Sequence, residues 1–184
     1  MAFGGTIVLI IILIIGSAVV DELFPDSVIP STSNTNEEDL AKIARDIHDL
    51  VNEERVSRGI DPLIWNSQIA EIALLHSQDM AQNNYYEHIN LQGQDPTSRG
   101  IEEGYYCEKI IGAYIYSGLS ENLMWMDGYA RNAIAKESIE GWLLSTEGHK
   151  ENMLDTRKLY SGVGVAMADN GEIYVTHNFA LCKP

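Results

Sequence analysis

The sequence predicts an α+β fold in which helices come first and strands last. Apolar residues recur at helical spacing through Leu40, Ile43, Ile47, Leu50 and Val51, and again through Ile69, Ile72, Ala73, His76 and Met80. The period then drops to two in VGVAMA and EIYVTHNFAL, which flank an Asp169-Asn170-Gly171 turn and read as a hairpin. A chain of 184 residues with 45% hydrophobic content buries a sizeable core, and its length favours one domain.

The first 24 residues stand apart from that globule. MAFGGTIVLIIILIIGSAVV carries no charge before Asp21, and Phe3 to Phe24 as a helix would cover roughly 30 Å, about one hydrocarbon thickness. A hydrophobic helix that anchors the chain is one reading of residues 1–24. A signal peptide cleaved after Ala18 is the other, although no Lys or Arg precedes the apolar run. The first basic residue after the segment is Lys42, so nothing holds that side in the cytoplasm, and the body is expected outside, on a single-pass anchor or secreted. Residues 25–36, rich in Pro, Ser, Thr and Asn, read as a tether, and residues 37–184 as the folded domain.

Within the body, Thr35 and Glu38 have capping-box spacing for the first helix, which Gly59 ends. Asn66 caps the second helix. From Asn83 to Gly118 the pattern is irregular and punctuated by glycines, which suits loops with a short helix. A third long helix starts near Asn132, places Ala135, Ile139, Trp142 and Leu143 on one face, and breaks at Gly148, leaving His149 in a turn. Trp65, Trp125 and Trp142 are expected to anchor the packing.

The formal charge of −15 would repel phosphate backbones and anionic headgroups, so nucleic acid is not an expected partner. Cys107 and Cys182 suit an oxidising exterior, where a bond between them would close a loop worth roughly 4 kcal/mol in the chain-entropy model; two separate buried thiols are the alternative.

Three segments carry candidate chemistry: YYEH ending in His88, SENL containing Glu121, and GWLLSTEGHKENML containing His149. Two imidazoles and a carboxylate in one cleft could bind a divalent ion, zinc above all, or move protons. His76 and His177 lie on apolar faces and read as core residues, and His48 as a helix-surface residue. No GxSxG elbow or HExxH helix occurs, and neither Ser120 nor Ser145 stands in a nucleophile's sequence context.

Taken in order, HSQDMA, YYEH, GQDPTSRGIEEGY, SENL, GWLLSTEGHKENML, GVGVA and YVTHNFA resemble the CAP superfamily, whose SCP domains include cysteine-rich secretory proteins, venom allergens and plant pathogenesis-related proteins. The resemblance covers most of Glu38 to Leu181. It implies a three-layer α-β-α sandwich with a central antiparallel sheet, and a cleft lined by two histidines and two acids. On matching positions His88 is the first histidine, Glu121 the first acid and His149 the second histidine. Where many relatives carry the second acid this chain has Ser145, and Glu147 is the nearest substitute. Three functions follow from these residues: a metal or small-ligand binding module on His88, Glu121 and His149; a metal-assisted peptidase- or esterase-type hydrolase; or a tethered protein that engages a lipid, peptide or other envelope component.

Overall fold

The computed structural model describes residues 32–182, so the N-terminal segment, residues 1–24, lies outside the described residues. Among the described residues no helix is long and apolar enough to cross a membrane.

Helix α1 (Thr32–Ser57) begins inside the stretch read as a tether, so Thr35 lies within the helix rather than at its cap. Strand β1 (Ile64–Trp65) leads into α2 (Ser67–Asn83), whose N-cap is Asn66; its side chain accepts from the N–H groups of Gln68 and Ile69. The region read as loops with a short helix holds α3 (Pro96–Glu102) and also a hairpin of β2 (Glu108–Ile111) and β3 (Tyr114–Ser117). Strand β4 (Ser120–Met126) follows, then a 3₁₀ turn at Arg131–Ala133 that opens α4 (Ile134–Leu144). His149 is the first residue of a further helix, α5 (His149–Leu154), rather than part of a turn. Gly148 at φ +90° supplies the left-handed entry that a side chain would disfavour. Strands β5 (Tyr160–Met167) and β6 (Ile173–Ala180) complete the chain.

The main sheet has the order β1-β5-β6-β4. Its three long strands are antiparallel, as expected, but β1 pairs parallel to β5 through two residues only, which makes the sheet mixed. Alternation along β5 and β6 divides the core. Val163, Val165, Ile173, Val175 and Phe179 face α1, α4 and α5, meeting Ile43, Ile47, Ile139, Trp142 and Met153. On the opposite face Gly162 and Gly164 let α2 approach at backbone distance, since a Cβ on either would lie 2.2 or 2.1 Å from the nitrogen of Ala70 or Leu74. Two glycines at alternate positions therefore set how closely this helix layer sits on the sheet.

Cys107 and Cys182 are disulfide-bonded, which ties the start of the β2–β3 hairpin to the end of the chain. Two expectations for single residues are corrected. His48 is buried rather than on the helix surface, because its Nδ1 meets Ser161 Oγ at 3.0 Å and its Nε2 faces Asn52 Nδ2 at 3.1 Å. Trp125 is 44% exposed and anchors no core. His76 is buried as expected, but it also borders the site described next.

Candidate functional site

Glu121 lies near the start of β4, opposite Asn178 of β6, and its side chain is 1% exposed. A carboxylate buried so deeply needs partners for both oxygens. Oε2 is bound by the Arg99 guanidinium from α3, and Oε1 accepts from His88 Nδ1 at 2.9 Å. Arg99 is itself buried and ties the loop that carries His88, because Nη1 donates to the backbone carbonyls of His88 (2.8 Å) and Gln94 (3.0 Å). Asp95 caps α3 and Pro96 opens it, which orients the helix that delivers Arg99.

An ionised carboxylate only accepts, so the Glu121 contact assigns the His88 proton to Nδ1 and leaves Nε2 with its lone pair outward. The His88 side chain is half exposed. His149 faces it with ring centroids 6.5 Å apart and planes 43° from parallel. Its Nδ1 is held by Ser145 Oγ at 2.8 Å, and the same oxygen accepts the Glu147 N–H at 3.1 Å. Neither Nε2 has a hydrogen-bond partner among the described residues. Burial, with the neighbouring His88 adding to it, holds the His149 imidazole below its ordinary value and favours the neutral ring.

Two asparagines connect the histidine segments to the sheet. Asn122 Nδ2 donates to the His149 carbonyl at 2.8 Å, and Asn152 Nδ2 donates to Asn122 Oδ1 at 2.9 Å and the Glu121 carbonyl at 3.2 Å. His76 donates from Nε2 to the Glu87 carbonyl at 3.0 Å and lies 3.9 Å from Glu121 Oε1, behind the His88 loop. Burial also lowers its pKa, with Glu121 opposing.

His88, Glu121 and His149 therefore converge, as the three sequence segments suggested, but in unequal roles. The imidazoles face outward and the carboxylate is enclosed behind one of them. Glu147 is exposed, and its backbone rather than its carboxylate contacts Ser145. Sequence reasoning missed Arg99; its signal was the Asp-Pro helix start with an arginine one turn later. Among the described residues no group of three or more His, Cys, Asp or Glu side chains is arranged to hold a metal ion. Glu121 is committed to Arg99 and His88, which leaves the two imidazoles as the outward-facing nitrogen donors of the cleft. Ser145 and His149 also form a hydroxyl–imidazole pair, but no carboxylate orients the far ring nitrogen among the described residues.

Comparison with known proteins agrees with this architecture. The model of the CAP cysteine-rich secretory protein family matches residues 48–183. The chain is 34% identical over 137 residues to the uncharacterized membrane protein YlbC of Bacillus subtilis, covering 73% of this chain and 33% of that protein. It is 24% identical over 144 residues to the uncharacterized protein YkwD of the same organism, covering 78% of this chain and 49% of that one. The chain thus spans between a third and a half of the curated relatives it matches. Among solved structures, an extracellular SCP-domain protein of Bacillus anthracis aligns with a TM-score of 0.63 at 26% identity, over 82% of this chain and 44% of that one. An outer surface protein of Borrelia burgdorferi shares the fold with a TM-score of 0.60 at 17% identity, over 75% and 91% of the respective chains. With its α-β-α layers, its disulfide and its paired histidines in the order the motifs require, the chain belongs to the CAP family of cysteine-rich secretory proteins.

Proposed function

We propose that this is an extracytoplasmic binding module, attached to the membrane by residues 1–24, whose cleft takes a divalent cation on His88 Nε2 and His149 Nε2. The observation that carries the reading is the hydrogen bonding of the two rings. Each has Nδ1 occupied, by Glu121 or Ser145, while Nε2 is left without a partner among the described residues. The carboxylate fixes the tautomer of His88, and Ser145 Oγ can accept from His149 Nδ1–H in the same way. Glu121 thus orients His88 rather than ligating, and Arg99 keeps it there.

Neutral imidazole nitrogens suit zinc. Two nitrogens held tetrahedrally need ring centroids about 5 Å apart, closer than the 6.5 Å observed. That closure falls to the α5 segment that carries His149, because swinging the His88 side chain would break its bond to Glu121. With two protein ligands the remaining positions fall to water or to a ligand from solution, so binding is exchangeable. The ion would supply Lewis acidity to whatever oxygen or nitrogen ligand it takes. The names of the relatives, a membrane protein and an extracellular protein, agree with a location outside the cell.

Calorimetric titration with zinc tests the reading. Binding is expected for the native protein and lost in the His88→Ala/His149→Ala double variant. Unchanged binding in that variant overturns it. Glu121→Gln, which retains an acceptor for His88 Nδ1, is expected to weaken zinc binding by about tenfold without abolishing it.

A further inference from the structure

Beyond Ser161 the outer edge of β5 pairs with no strand among the described residues. β1 pairs only with Tyr160 and Ser161 and then turns into α2. The Ser161 carbonyl points outward to the Asn66 N–H at 2.9 Å. By the alternation of a β-strand, the N–H and C=O of Val163 and Val165 point the same way, while the even-numbered residues bond β6. No backbone or side-chain partner meets those outward groups among the described residues. Val163 and Val165 are only 2% and 3% exposed, and backbone groups so enclosed are as a rule paired.

A groove of about 700 Å³ runs along this edge. Helix α1 forms one wall with Leu40 and Ala41, helix α2 the other with Ala70 and Leu74, and Trp65 stands at one end where β1 stops. Glu37 and Glu71 stand on the two walls. Their natural counter-charge, Arg45, lies over the Trp65 ring at 3.6 Å.

We infer that this groove receives an extended peptide segment of about five residues carrying a basic side chain, which pairs with β5 in the strand position that β1 vacates after Trp65. Outward N–H and C=O groups repeating every second residue are complemented by another extended backbone. The apolar walls take alternate side chains, and Glu37 and Glu71 take the basic one. Val163 to Met167 spans about five residues at roughly 3.3 Å each, which sets the length.

The test uses the full chain in detergent and the peptide acetyl-Lys-Val-Thr-Val-Thr-Val-Lys-amide, with a second peptide N-methylated at alternate residues so that one hydrogen-bonding edge is blocked. In the free protein the Val163 and Val165 amides are expected to exchange with solvent faster than those of Gly164 and Ala166. Addition of the first peptide at millimolar concentration slows the two valine amides at least tenfold, and the N-methylated peptide binds at least tenfold more weakly. Ala41→Trp, on an exposed wall position, blocks the groove, and Glu71→Lys weakens binding of this peptide. Equal binding of the two peptides overturns the inference, as does unchanged protection of the two valines. A fluorescent fatty acid that fills the groove and resists displacement by the peptide also overturns it, and reassigns the groove to acyl chains.

Discussion

Arg99 is the residue on which the geometry of the site depends most, and Arg99→Met isolates its charge. Methionine restores most of the packing, so the change removes the guanidinium from a site where Arg99 is 7% exposed and the Glu121 side chain 1% exposed. Little water reaches the pair, and a lone buried carboxylate there costs about 3–5 kcal/mol. Two further bonds go, those to the carbonyls of His88 and Gln94, each worth about 1 kcal/mol. Part of this overlaps, and a loss of about 4 kcal/mol in folding stability is expected. Urea denaturation followed by tryptophan fluorescence measures it. The double variant Arg99→Met/Glu121→Gln should recover about 2 kcal/mol relative to the sum of the single changes, because a neutral amide no longer needs the cation. A loss below about 1 kcal/mol in Arg99→Met, or strict additivity in the double variant, would refute the assignment of Glu121 as a buried, ionised anchor.

Three other outcomes follow from the same structure. Burial holds His48, His76 and His177 below their ordinary pKa, His177 furthest. The unfolded chain therefore binds protons below about pH 6.5 that the native chain does not, and stability present above that pH falls as the pH drops, by up to about 1.4 kcal/mol per unit for His177. His177→Phe, which keeps the stack on Phe179 and Trp142, should reduce that slope between about pH 6.5 and 5 in denaturation curves; an unchanged slope contradicts the reading. Gly164→Ala places a Cβ 2.1 Å from the Leu74 nitrogen and should cost about 3 kcal/mol or more, read as a lowered urea midpoint. Ser145→Ala releases the His149 ring and should weaken zinc binding about tenfold while leaving stability nearly unchanged.

What the sequence made legible was local. The Asn66 cap and the Asp169-Asn170-Gly171 turn each depend on a few neighbouring residues, and each lies where it was expected; the third long helix instead ends at Leu144, before the expected break at Gly148, which opens α5. Beyond the Cys107–Cys182 pair, which the compartment argument anticipated, the long-range hydrogen-bond partners of single side chains were not legible. His48 looked like a surface residue because its partner Ser161 is 113 positions away, and Arg99 went unnoticed because Glu121 is 22 positions on. The β2–β3 hairpin was missed because IIGAYIY has no alternation between a wet and a dry face: Ile110, Tyr114 and Ile115 are all exposed. Trp125 was misread by treating size as burial, although it follows on β4 soon after Leu123, which packs on Met80. His88, Glu121 and His149 were found through their motifs. Their inequality, two outward rings and one enclosed carboxylate, required coordinates.

The most direct test of the central claim is a crystal structure of the protein soaked in zinc, with anomalous difference data collected on both sides of the zinc edge. The expected result is one peak within about 2.1 Å of the Nε2 atoms of His88 and His149, with Glu121 still paired to Arg99. A peak ligated by Glu121 with Arg99 displaced, or no peak between the two rings, would contradict it.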